Sequence, residues 1–160
     1  LNLFGLAQRN GKGVVILVNK WDLVEKDTHT AEEYKALIES KISPFSDVPI
    51  LFISATTKKR VLKALDEMLK VHHSMTTKIT TSKLNDFFLP IIAKNPPPSL
   101  KGKYVKIKYI TQLPTPCPSF AFFCNLPQYV PENYKRFLEN KLRQHYNFSG
   151  VPLRIYFRKK

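Results

Sequence analysis

Glycine is scarce in this chain, with five in 160 residues at positions 5, 11, 13, 102 and 150. That shortage excludes the loops that cradle phosphate with backbone N–H groups, because G-x-x-x-x-G-K-[ST] needs two glycines at fixed spacing. The nearest stretch, "GLAQRNGKG" from Gly5 to Gly13, has five residues between its first glycines, ends in Gly where Ser or Thr is required, and follows no strand. Cysteine is scarcer still. Cys117 and Cys124 lie seven apart with no C-x-x-C and no histidine at ligand spacing, which excludes a disulfide framework and a zinc site and leaves buried thiols. Long apolar runs are missing too: Val14 to Val18 falls far short of the roughly 20 residues that span a bilayer. The first residues show no basic-then-apolar leader, so a cytoplasmic address without membrane contact is expected.

Acidic residues are few, 12 against 26 lysines and arginines, for a net charge of +14. The imbalance is uneven. Residues 1–75 hold 11 basic and 9 acidic groups, net +2, whereas residues 76–160 hold 15 basic and 3 acidic, net +12. Such asymmetry marks a seam between two domains and places any polyanionic partner on the second.

Along the first part, residues 1–9 read as a helix ended by Asn10-Gly11, and Gly13 to Val18 as a strand buried on both faces. Thr30 and Glu33 form a capping box ahead of Tyr34, Leu37, Ile38 and Ile42 at helical spacing. Pro49 to Ile53 is a second buried strand. Val61, Leu62, Leu65, Met68, Leu69 and His72 then trace one stripe of a further helix. Helix, strand, helix, strand, helix predicts a parallel sheet with helices packed on it.

The polar, threonine-rich stretch 74–81 reads as a linker. Ser82 caps a helix carrying Leu84, Phe87, Phe88, Ile91 and Ile92, which Pro90 is expected to kink or end. Pro96 to Pro98 forces an extended connection. In "KYVKIKYI", Val105, Ile107 and Tyr109 alternate with Tyr104, Lys106 and Lys108, an apolar face against a basic one. The strand "FAFFCN" follows a proline-broken loop. A helix then places Tyr134, Phe137, Leu138 and Leu142 on one side and Arg136 and Arg143 on the other. The last strand, "LRIYFRKK", sets Leu153, Ile155 and Phe157 opposite Arg154, Tyr156 and Arg158. The second part is therefore helix, strand, strand, helix, strand, an α+β layer pair.

The chemistry concentrates in Asn19-Lys20-Trp21-Asp22, at the carboxyl end of the first strand, where α/β folds bind ligands. The Asp22 carboxylate can accept two parallel hydrogen bonds from guanine's imino and amino groups. Adenine would face it with an acceptor and leave the charge unpaired. The Asn19 amide can hold the base's imidazole edge and tie neighbouring loops together, the Lys20 stem can lie across the ring, and Trp21 packs the loop. Ser54-Ala55 follows the second strand, where the Ala55 N–H could meet the guanine carbonyl. With no phosphate loop, no magnesium-binding hydroxyl and no water-positioning segment, the chain is expected to hydrolyse nothing alone and to be the latter part of a larger protein.

"NKWDLV", "ISAT", "TTSKLNDFFLPIIAKNPPP", "KYVKIKYITQ" and "YKRFLENKLRQHYNFSGVPLRIYFRKK" closely resemble the carboxy-terminal end of the EngA (Der) family, Era-like bacterial GTPases with two tandem GTP-binding domains followed by a KH-like domain. The resemblance implies a partial P-loop GTPase (Rossmann-like) domain over 1–73, a linker over 74–81 and a KH-like domain over 82–160. It implies that Asn19, Lys20, Trp21, Asp22, Ser54 and Ala55 bind GTP or GDP, with Mg²⁺ held by parts of the parent outside this chain. It also implies a role in large-subunit ribosome biogenesis, which agrees with the +12 charge. RNA-clamping KH domains carry a G-x-x-G loop, and Gly102 and Gly150 are the only glycines after residue 13. The KH-like part therefore either docks against a G domain of the parent or touches rRNA by its basic face.

Two functions compete. One is a piece of a GTP-hydrolysing assembly factor with Asn19, Lys20 and Asp22 choosing the base. The other is a non-enzymatic RNA-binding or docking module resting on Lys106, Lys108, Lys135, Arg136, Arg143 and Arg158. A third, an adenylate-using α/β enzyme, ranks below both because Asp22 opposes adenine.

Overall fold

The structure is a computed structural model that describes residues 2–25, 27, 29–43, 45, 47–100 and 102–159. Leu1, where the first expected helix begins, and Lys160, at the end of the last expected strand, lie outside the described residues. Among these residues the chain is mixed α/β, with five α-helices and two small sheets. It divides into two compact units, 1–75 with 148–152, and 76–147 with 153–160. No helix is long and apolar enough to cross a membrane.

The first unit contains α1 (Asn2–Arg9), β1 (Ile16–Val18), α2 (Thr30–Ile42), β2 (Ile50–Phe52) and α3 (Val61–Thr76). The strands pair in parallel with Ile16 opposite Ile50 and Val18 opposite Phe52. Alternation along β1 feeds two cores. Val14 and Ile16 pack with Ile42, Phe45, Val48 and Phe4 on one face, and Val15 and Leu17 with Leu51, Ile53 and Ala64 on the other. Three expectations change here. β1 carries apolar packing on both faces, as expected, but is only half-buried, since among the described residues it has a strand on one side only. The Thr30–Glu33 capping box does not form. Asp27 Oδ1 instead accepts from the Thr30 hydroxyl at 2.7 Å and from the backbone N–H groups of His29 and Thr30, each at 2.8 Å, and the hydroxyl bond foremost, with the two amide bonds, holds its carboxyl below the usual carboxylate range. The buried stripe of α3 is Ala64, Val71 and Ser74, while Leu62, Leu65, Met68 and Leu69 are exposed. A two-stranded sheet is too narrow to cover the leucine side as well. The helix lies close on its small face, with a Cβ at Gly13 falling 2.6 Å from Val71 Cγ1.

Residues 148–152 complete this unit. The Gly150 carbonyl accepts from Val14 N at 2.8 Å and its N–H donates to Asp47 O at 2.8 Å, so one residue bridges the entries to both strands.

The second unit contains α4 (Thr81–Lys94), β3 (Ile107–Leu113), β4 (Ser119–Cys124), α5 (Glu132–His145) and β5 (Arg154–Lys159), matching the expected order. The sheet order is β3-β4-β5, antiparallel then parallel. Leu84, Phe88 and Ile92 of α4 and Tyr134, Leu138 and Leu142 of α5 are buried, and Phe88 meets Phe122 edge-on at 5.5 Å. Both backbone groups of Ile110 bond to Asn85 of α4, which closes that edge of β3. Cys117 and Cys124 are buried, and burial pushes both thiols up.

The expected linker is partly helical, since α3 runs to Thr76, and Thr80 rather than Ser82 caps α4. Pro90 does not end α4, which continues to Lys94. Pro90 and Asp86 are both exposed, so water reaches the carbonyl whose partner the proline removes. The alternation expected through β3 breaks at Lys108, where the register slips between Ile107 and Tyr109. Ile107 lies opposite Cys124 and Tyr109 opposite Phe123, so the two occupy opposite faces of the sheet.

Gly150→Ala is expected to cost roughly 2 kcal/mol, because φ is +73° and the new Cβ would sit 2.6 Å from the Val14 carbonyl oxygen. Thermal unfolding followed by Trp21, the only tryptophan, would show it as a lowered midpoint. In the second unit the buried Tyr134 hydroxyl donates to Asn95 O at 2.8 Å, and burial raises its pKa from 10.0 to about 12. A raised phenol pKa means that this stabilisation is complete below pH 10 and lost as pH climbs through about 12. Tyr134→Phe should cost about 1 kcal/mol at neutral pH and flatten the alkaline decline in denaturation midpoint.

Candidate functional site

Because β1 and β2 are adjacent and parallel, the loops leaving their carboxyl ends begin side by side. The ladder continues past the strands: Ile53 N donates to Val18 O at 2.9 Å and Trp21 N to Ile53 O at 3.0 Å. Asn19 joins the loops. Its Oδ1 accepts from Lys20 N at 2.8 Å and from Ala55 N at 3.1 Å, a contact spanning 36 residues of sequence. The N–H expected to meet a purine carbonyl therefore has a protein acceptor here.

Trp21 is buried, 4.3 Å from the Phe52 ring and 5.4 Å from Tyr34. That anchor fixes the loop from beneath and leaves Asn19, Lys20 and Asp22 exposed on top. On the second loop Ser54 is buried, and its Oγ accepts from Thr57 N at 3.2 Å. Ser54 also pairs with Lys59 through a short antiparallel bridge. Beside these loops is a cavity of about 470 Å³ whose wall includes Trp21, Asp22, Ser54, Thr57, Lys59 and Arg60.

Among the described residues, the non-glycine positions with positive φ are Lys20 (58°), Lys58 (57°) and Arg60 (60°), all in these two loops. A left-handed lysine or arginine is uncommon, and such strain concentrates where the surrounding structure imposes it. Nothing in the sequence pattern marked Lys58, Lys59 or Arg60, because left-handed backbone is ordinarily signalled by glycine or asparagine.

The basic residues singled out in the second unit are carried by three elements. Lys106 and Lys108 are exposed at the start of β3, Arg158 is exposed on β5, and Lys135, Arg136 and Arg143 ride on α5. Lys135 bonds to Glu132, and Arg143 donates through Nε and NH2 to Glu139 Oε1 at 3.1 and 3.0 Å.

A family profile described as the KH-domain-like region of EngA bacterial GTPase enzymes, C-terminal, matches residues 78–158. The chain belongs to that family. It is 65% identical over 159 residues to GTPase Der of Christiangramia forsetii, covering 99% of this chain and 37% of that protein. Identity to GTPase Der of Flavobacterium psychrophilum is 59% over 159 residues, 99% and 36% of the two chains. For GTPase Der of Bacteroides thetaiotaomicron it is 56% over 162 residues, 100% and 37%. The chain thus spans little more than a third of the length of these relatives.

Asn19→Ala would leave the Ala55 and Lys20 amides without their shared acceptor, at a cost of roughly 1 kcal/mol. Hydrogen exchange should show both amides losing protection while those within β1 and β2 keep theirs.

Proposed function

We propose that this chain supplies the guanine-selecting loops and the RNA-facing domain of a cytoplasmic GTPase that acts in assembly of the large ribosomal subunit. The observation that carries the reading is the Asn19 tie, which holds the Asp22 loop and the Ala55 loop at one end of the sheet. In this reading the first unit is part of a P-loop GTPase domain. Its exposed leucines on α3 and its one-sided β1 agree with a sheet that is wider in the parent.

Base selection follows from charge. The Asp22 carboxylate accepts guanine's two ring-edge donors, and the Lys20 stem covers one ring face. The purine carbonyl takes the Ala55 N–H from Asn19, whose amide then turns to the imidazole edge. Ser54 and Trp21 act beneath, Ser54 by bonding Thr57 and Trp21 by packing. GTP and GDP are the ligands, and phosphate and Mg²⁺ are held by other parts of the parent. The names of the relatives, each a GTPase, support this assignment. The +12 charge of residues 76–160 supports rRNA as partner of the second unit, with the other G domain of the parent as a docking partner.

Asp22→Asn in the intact parent tests the reading. An amide offers a donor to the xanthine carbonyl where the carboxylate accepted from the guanine amino group. The GTP-to-XTP preference in kcat/KM should fall by about 10²- to 10⁴-fold. Unchanged guanine selectivity would overturn the assignment.

A further inference from the structure

Two helices of the first unit cover opposite faces of its sheet. Ile38 and Ile42 of α2 pack with Val14 and Ile16, Ala64 of α3 packs with Val15 and Leu17, and successive residues of a strand point to opposite faces. A groove walled by both helices must therefore run past an edge of the sheet. One does: a groove of about 620 Å³ is lined by Lys35 and Glu39 of α2, Lys63 and Glu67 of α3, and Ile50 and Leu51 of β2. Because β2 pairs with β1 on one side, the edge in the groove is its other side. Ile16 N donates to Pro49 O and Ile53 N to Val18 O, so Pro49, Leu51 and Ile53 direct their backbone groups at β1. Those of Ile50 and Phe52 then point away from it, where among the described residues no strand pairs with them.

The charges along this edge are sorted. α2 leaves the carboxyl end of β1 and returns to the amino end of β2, and α3 leaves the carboxyl end of β2 and brings Val71 against Gly13 ahead of β1. Both helices thus run back along the strands. Each presents its lysine toward the carboxyl end of β2 and its glutamate one turn nearer the amino end. Four helical residues advance about 6 Å, close to the roughly 6.7 Å of two strand residues. Lys35 and Glu39 are 3.7 Å apart and both well exposed, a pair that water keeps weak, and Glu67 accepts from Lys70 on the helix surface at 2.7 Å. Guarding an edge against aggregation calls for lysine or for charge of one sign. Both signs in the same order on two helices instead select the strand that enters.

We propose that the free edge of β2 takes up an extended peptide of a partner protein as an added strand, its basic residues against Glu39 and Glu67 and its acidic residues, two positions along, against Lys35 and Lys63. Backbone pairing with Ile50 and Phe52 supplies the affinity, and side chains alternating between the two walls supply the choice. A strand parallel to β2 reads basic, basic, acidic, acidic, and an antiparallel one the reverse. A second copy of β2, Ile50–Phe52, carries no charge and would leave both walls unanswered. The groove is separate from the nucleotide loops, since none of Asn19, Lys20, Asp22 and Ala55 lines it.

The full chain should be titrated with short capped fluorescent peptides of one composition in three orders: two lysines then two glutamates, the reverse, and strict alternation, each flanked by threonine and valine. One sorted peptide is expected to bind at least about 10-fold more tightly than the alternating one, which sets two like charges against each wall. Its binding should slow hydrogen exchange at the Ile50 and Phe52 amides and leave Leu51 and Ile53 unchanged. Lys63→Glu with Glu67→Lys keeps the net charge and should weaken the same peptide about 10-fold. Reversing only the two peptide residues that face α3 should then restore the affinity. Equal affinity for all three orders, or binding that leaves the Ile50 amide unprotected, would overturn the added strand; both comparisons use the unaltered chain, so they hold even if the swapped variant folds poorly. Protection of Ile50 that rises with protein concentration in the absence of peptide would also overturn it, by giving the edge to a second copy.

Discussion

The first unit depends on one side-chain oxygen with two donors. Asn19 Oδ1 holds the amide of the next residue and the amide of Ala55, so the loops leaving β1 and β2 cannot separate without taking the Ala55 N–H from its acceptor. Parallel pairing brings those loops near one another, but pairing ends at the strand ends and leaves the loops many conformations. The tie removes them. Lys20, the residue that follows, has left-handed backbone with φ 58°. Trp21 then drops into the aromatic pocket of Phe52 and Tyr34, which sends the neighbouring lysine and aspartate outward.

In the second unit the corresponding constraint is a single inserted residue. Without the slip at Lys108, Tyr109 would share a face with Ile107 and face the helices, and Ile110 would be turned away from them. With it, Ile107 and Ile110 both reach the core and Tyr109 comes out beside Phe123. Asn125 supports the irregular stretch. Its Oδ1 accepts from Lys106 N at 2.7 Å and its Nδ2 donates to Tyr104 O at 3.1 Å, giving the backbone partners where regular pairing lapses.

The element order was legible because hydrophobic period and length separate strands from helices even in short segments. The Asn19 and Ala55 loops were legible as neighbours because consecutive parallel strands put their carboxyl ends together. What escaped was set by tertiary context. The leucines of α3 outnumber its small residues, so periodicity selected Leu62, Leu65 and Leu69, yet packing distance selected Ala64, Val71 and Ser74. The capping box failed because Thr30 is the first helical residue and not the cap, and its hydroxyl is bonded to Asp27, which also accepts the His29 and Thr30 amides. A bulge leaves no mark in an alternating sequence, and the return of residues 148–152 to the first unit has no local signal except Gly150.

Scarcity of glycine also shapes where strain is stored. A chain with glycine to spare would place it at left-handed positions, and Gly11, Gly102 and Gly150 do occupy such positions. At the two strand-end loops the same conformation falls to Lys20, Lys58 and Arg60, whose Cβ atoms raise the energy of each turn by about 1 kcal/mol or more. Stability alone would favour glycine there. Keeping three long cations at strained positions around Asp22 and Ser54 makes sense if their stems and charges are needed at that place.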